Sequence, residues 1–138
     1  MRIKGSLFCT FLLLCSVAMS FVSCNKEEEE YEDFLDGTIW VLDFGERRYF
    51  NDVEVYGRVL YFEKGKGGLY YYDKNEKSVL LIEHIESYKI VSDIEAVIKA
   101  YDCYNDFNVK KLVYKGNNLT YGNTNYRCAV KSKAHYFD

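Results

Sequence analysis

The sequence predicts an all-β fold, an antiparallel meander of about eight strands closing into an up-and-down barrel. Three observations carry this. Tyr, Phe, Val and Ile, which fit pleated and half-buried surfaces, recur in short runs. Those runs are divided by brief clusters of Gly, Asn and Asp, the residues that turn a chain. Closely spaced strands joined by short turns bury their edges best by closing on themselves.

The strands are expected in this order. Thr38 to Phe44 is the first. Arg58 to Glu63 and Leu69 to Asp73 flank Lys64-Gly65-Lys66-Gly67-Gly68, a glycine-rich hairpin loop. Asp73 to Lys77 forms a second turn, and Ser78 to Val91 is long enough for a strand broken near His84–Glu86. Val109 to Lys115 and Leu119 to Gly122 flank Gly116-Asn117-Asn118, whose residues tolerate positive φ. Tyr126, Cys128 and Val130 then alternate with Arg127, Ala129 and Lys131, giving one apolar and one wet face. Residues 93–104 carry two patterns. Ser92-Asp93-Ile94-Glu95 has the form of a helix capping box, yet Ile94, Ala96, Ile98 and Ala100 alternate as a strand. The neighbouring strands favour the second pattern, and a short helix near 93–104 is the alternative.

Residues 1–23 stand apart from this domain. Arg2 and Lys4 precede a mostly apolar run from Leu7 to Val22, the charged and apolar regions of a secretory signal. The run falls short of the roughly 20 apolar residues of a membrane span. Phe21-Val22-Ser23-Cys24 resembles the cleavage motif of bacterial lipoproteins. The resemblance implies that Cys24 is acylated and becomes the first mature residue, anchored through its acyl chains. Residues 24–33 follow as an acidic tether whose like charges extend it. Lys26, Glu27, Glu28, Glu29 and Glu30 resemble the export signal that sends Bacteroidetes lipoproteins to the outer face of the outer membrane. The implied location is the outer membrane, lipid-anchored and exposed at the cell surface.

The domain proper covers 34–138. Leu35-Asp36-Gly37-Thr38-Ile39-Trp40 resembles the Leu-x-Gly-Thr-x-Trp start of Bacteroidetes lipocalin-like lipoproteins. Val59 to Gly65, Ser87 to Ile90 and Lys111 to Leu119 resemble later strands of that family. The family implies a lipocalin-like barrel in which Trp40 plugs one end beneath the N-terminal segment. A fold does not carry a function with it, so the site has to be argued from residues.

Removing Arg2 and Lys4 from 18 basic residues leaves 16 against 21 acidic ones, a formal charge of −5, of which Glu27 to Glu30 supply four. The remainder is near neutral, which gives no basic footprint for nucleic acid. Cys103 and Cys128 are the cysteines left after the signal and the anchor, and an exported compartment leaves open either a bridge or two free thiols. His84 and Glu86 would share a strand face if the strand is regular. His135 sits in a terminal tail expected to fray. No metal-binding or nucleophile motif is present, so no catalytic residue, metal or cofactor is assigned and an enzyme is not expected.

The conspicuous resource is aromatic: 14 Tyr, 9 Phe and one Trp. Tyr offers large contact area at low entropic cost, and Tyr61, Tyr70, Tyr72 and Tyr88 are the candidates for a binding surface. The function expected is binding of a small amphiphile or a glycan. The alternative is a protein-interaction module, an accessory subunit of an outer-membrane complex or an enzyme inhibitor.

Overall fold

The structure is a computed structural model and describes residues 30–138. The signal segment, Cys24, Lys26 and Glu27 to Glu29 lie outside the described residues; Glu30 is the first described and is exposed. Tyr31–Asp138 forms one compact unit. Eight strands follow one another: β1 (Ile39–Phe50), β2 (Val53–Glu63), β3 (Lys66–Tyr72), β4 (Ser78–Ile90), β5 (Glu95–Asp102), β6 (Phe107–Lys115), β7 (Asn118–Tyr121) and β8 (Thr124–Cys128). A short helix, α1 (Lys133–Phe137), ends the chain. Each strand pairs antiparallel with the next, and β1 closes on β8 to complete a barrel. The all-β, up-and-down architecture expected from the turn spacing is the one formed. Among the described residues the core and the strand pairings all lie within this unit, which meets the physical criterion for a segment that folds alone.

Turn chemistry explains the connections. Asn51 and Asp52 both take positive φ, as do Lys64 and Gly65, which gives two-residue hairpins whose twist matches the strands. Asp73 Oδ1 accepts from the Asn75 and Lys77 amides, and Asp102 Oδ1 accepts from those of Tyr104 and Asp106. Both loops are closed by an aspartate bonding its own backbone.

Several expectations need correction. β1 and β2 run further than expected, because a bulge between Asp43 and Arg48 absorbs the polar stretch Gly45–Arg48 inside the ladder. Gly67 and Gly68 belong to β3 and not to a loop. A Cβ on Gly67 would sit 2.1 Å from the Tyr61 carbonyl oxygen, and Gly68 lies beneath the Tyr61 and Tyr70 rings. These glycines serve close approach. Residues 95–102 are strand, so the short helix near 93–104 is not formed. Ser92 Oγ accepts from the Ile94 amide in a turn, and the Glu95 carbonyl accepts from Val91, so the capping residues close a loop. β8 ends at Cys128, and Val130 beyond it is 95 % exposed.

Cys103 and Cys128 are free and exposed. Cys103 lies in the β5–β6 loop and Cys128 at the end of β8, which the meander puts at opposite ends of the barrel. No bridge can join them across that separation.

One end of the barrel is filled. Leu35, Trp40, Leu60, Phe62, Ile85, Ile98, Leu112 and Leu119 form a buried cluster there. The segment before β1 caps it: Phe34 stacks on Tyr114 at 5.0 Å, and Leu35 is fully buried. Trp40 donates from Nε1 to Thr38 Oγ1 at 2.9 Å, and Thr38 in turn donates to the Leu35 carbonyl. The sequence around Trp40 thus forms a cap held by its own hydrogen bonds.

Candidate functional site: the open half of the barrel

The other end carries the β1–β2, β3–β4, β5–β6 and β7–β8 turns. There the interior opens into a cavity of about 710 Å³, lined among others by Arg58, Leu69, Ile82, Lys110, Tyr121 and Tyr126. Register determines which side chains enter it. Arg58 stands opposite Leu42 on β1 and Tyr71 on β3, and two residues from the buried Leu60. Glu83 pairs with Leu69, and Lys110 pairs with the buried Ile98. In each case a charged residue occupies an inward position of an otherwise apolar strand face.

Glu83 is only 3 % exposed. It survives burial because two donors converge on it: Lys110 Nζ on Oε2 and the Tyr121 hydroxyl on Oε1 at 2.6 Å. Burial, and then the Glu83 carboxylate accepting its proton, push the Tyr121 phenol far above its ordinary pKa. Tyr121 therefore stays a donor.

Arg58 is held differently. One Nη reaches the Tyr126 hydroxyl at 3.5 Å, and the guanidinium lies 5.5 Å from the Tyr71 ring centroid. Its Nε is buried with no hydrogen-bond partner, and so is Asn108 Oδ1. Burial lowers the Arg58 pKa, but the tyrosine oxygens outweigh it and leave the group above its ordinary value, fully charged. Tyr126 is likewise raised, chiefly by burial. The Tyr71 ring beside Arg58 is itself packed: Phe50 stacks on it at 4.5 Å, and Phe44 is tilted against it at 6.2 Å. Arg58 and Lys110, the apolar Leu69 and Ile82, and the rings of Tyr121 and Tyr126 form a concave site of a size that suits small ligands.

The four tyrosines named from sequence do not share one surface. Tyr61, Tyr70 and Tyr72 lie on the outer face of β2 and β3, beneath α1. Phe137 sits edge-on to Tyr61 and to Tyr70, at 5.1 Å from each, and Tyr72 packs with Val59 and Tyr136. Burial raises the Tyr72 and Tyr70 pKa values. Tyr88 is at the filled end, edge-on to Phe62 at 5.4 Å, and donates to Asp33 Oδ2 at 2.8 Å. Burial and then Asp33 raise it.

The C-terminal tail is tied down and not frayed. His135 Nε2 lies 2.8 Å from Glu76 Oε1, Lys131 donates to the same oxygen at 2.6 Å, and Lys77 donates to the His135 carbonyl at 2.7 Å. His84 and Glu86 are both exposed, and a register shift between Ile85 and Ser87 takes Glu86 out of the regular alternation. Among the described residues no group of three or more His, Cys, Asp or Glu could hold a metal. No described helix is long and apolar enough to cross a membrane, which says nothing of strands.

Arg58, Glu83 and Lys110 are the site residues that sequence reasoning missed. Part of their signal was present: Arg58 alternates with Leu60 and Phe62 as a lone charge on an apolar face, whereas a register shift between Leu69 and Tyr70 breaks the alternation that leads to Glu83. Comparison of the chain with protein-family models, with characterised proteins and with solved structures yields no match.

Proposed function

We propose that the protein is a surface-anchored lipoprotein that holds a small amphiphile in the open half of a lipocalin-like barrel. The observation that carries this reading is the cavity of about 710 Å³, within the range of small-molecule sites, with Leu69 and Ile82 as apolar wall and Arg58 as polar group. The filled half makes a rigid base for it, and binding groups on strands are better held than groups on loops. Anchoring rests on Cys24 after the apolar leader, and surface exposure on Lys26 and the four glutamates that follow.

The test is to fill the cavity. Thr124→Trp puts a large ring where a small lining residue stands. Organic extracts of the purified wild-type protein are expected to contain an amphiphile in stoichiometric amount by mass spectrometry, and extracts of Thr124→Trp to lack it. Identical extracts from the two proteins would refute carriage.

A further inference from the structure

We infer that the open half of the barrel selects amphiphiles bearing a single negative charge, a carboxylate in the first place, and that Arg58 is the specificity-determining residue; this rests on the carriage reading above.

Three cationic side chains line the cavity: Arg58, Lys110 and Lys111. Lys110 is neutralised by Glu83, and Lys111 has Glu95 at 3.6 Å. Arg58 has no ion pair among the described residues. Its partners are the neutral Tyr126 hydroxyl, at the long limit of a hydrogen bond, and the face of the Tyr71 ring. The lining therefore carries one uncompensated positive charge. It sits half-buried, where an unpaired charge is costly and a counter-ion correspondingly valuable.

The shape of the group narrows the chemistry. A guanidinium offers its donors in a planar fork, and a carboxylate matches two of them at once. The Nε of Arg58 is buried and has no acceptor, so the fold itself leaves the hydrogen-bonding capacity of the group unmet. A neutral head group leaves the Arg58 charge uncompensated. A dianion such as a phosphate monoester leaves one negative charge in excess of the single unpaired cation. Glu83 does not itself repel a monoanion, because Lys110 and Tyr121 both donate into it and hold its charge on their own side. Leu69 and Ile82 then receive the apolar portion of the ligand.

The experiment compares three ligands of equal chain length on the Tyr31–Asp138 segment by titration calorimetry: decanoate, 1-decanol and decyl phosphate. Decanoate is expected to bind at least about tenfold more tightly than decanol, the ratio given by one net charge-assisted hydrogen bond. Decyl phosphate is expected to bind more weakly than decanoate. Arg58→Met is expected to bring decanoate down to the affinity of decanol, with folding checked by near-ultraviolet circular dichroism. Arg58→Lys keeps the charge but not the fork, and is expected to retain only part of the preference. It decides the matter if Arg58→Met does not fold. Equal binding of decanoate and decanol by the wild type overturns this inference and leaves carriage standing. Tighter binding of decyl phosphate overturns the single-charge assignment. Binding of none of the three overturns carriage itself.

Discussion

Lys110→Met should destabilise the barrel more than Glu83→Leu, although each removes one half of the same ion pair. The difference comes from where each partner is stranded. Glu83 is 3 % exposed, on a strand whose neighbours are core, so without Lys110 its carboxylate has no route to water. Breaking a buried pair in this way costs about 3–5 kcal/mol. The Lys110 side chain is 33 % exposed at the cavity edge. Without Glu83 its long stem can turn the ammonium to solvent, which cuts the loss to about 2 kcal/mol, much of it from the stranded Tyr121 hydroxyl. The double variant Glu83→Leu/Lys110→Met leaves no buried charge and should lie within about 1–2 kcal/mol of wild type, far from the sum of the singles. Urea unfolding of Tyr31–Asp138 measures all four proteins. A difference of 1 kcal/mol also moves the melting temperature of a domain this size by about 4–8 °C. Additive single variants, or a larger loss for Glu83→Leu than for Lys110→Met, would refute the reasoning.

Other outcomes follow from the rest of the molecule. The Glu76 carboxyl is held below the usual carboxylate range by hydrogen bonds first from Lys131 and then from His135. A depressed carboxylate stabilises above its unfolded pKa and loses that contribution as pH falls through the folded value. Hydrogen-exchange protection of the α1 amides should therefore drop below pH 4.5, earlier than that of the core strands, and Glu76→Gln should lose protection already at neutral pH; protection unchanged by Glu76→Gln would refute the latch. Cys103 and Cys128, both exposed, should titrate as two thiols with a disulfide reagent under native conditions, and one or none would contradict their separation. Gly57→Ala should cost about 1–3 kcal/mol in urea unfolding, since the new methyl would meet the Tyr72 hydroxyl at 2.2 Å and the Leu42 carbonyl oxygen at 2.4 Å. Replacing Glu27 to Glu30 with Ala should abolish protease access on intact cells, and undiminished access would remove the export reading.

How much of this was legible in the sequence depended on whether the signal was local. Turns are local: Asp73–Lys77 and Gly116-Asn117 declare themselves by composition, and alternation then counts the strands. The glycines at 67 and 68 misled because composition cannot separate a glycine that turns the chain from one that admits a neighbour. That distinction depends on Tyr61 and Tyr70, which reach Gly68 only after β2 and β3 have paired. The bulge in β1 was hidden for a related reason, since Gly45–Arg48 is polar and reads as loop while its ladder partners are supplied by β2. Period-two alternation correctly separates Tyr70 and Tyr72 from Tyr71. It cannot say which side is the interior, because here both sides are covered.

That double covering is what decides where a ligand has room. On the outer face Gly57 and Gly68 provide two flat places in the sheet. The Tyr72 ring lies across the first, and Tyr61 and Tyr70 lie over the second. An aromatic ring over a strand glycine restores the packing that the glycine lacks. Phe137 and Tyr136 then seal those rings from above, with Lys133 4.2 Å from the Tyr61 centroid and paired to Glu63. Three of the tyrosines that make the sequence look like a binding surface are therefore spent fastening the chain terminus to the wall. At the filled end Trp40, Phe34 and Tyr114 are similarly committed. What remains uncommitted is the open half, where charge replaces aromatic area as the distinguishing feature. There Arg58 is the one lining cation without an anionic partner among the described residues. The residue that best defines the site is thus not one of the abundant tyrosines but a single arginine, placed by strand parity opposite Leu42 and Tyr71.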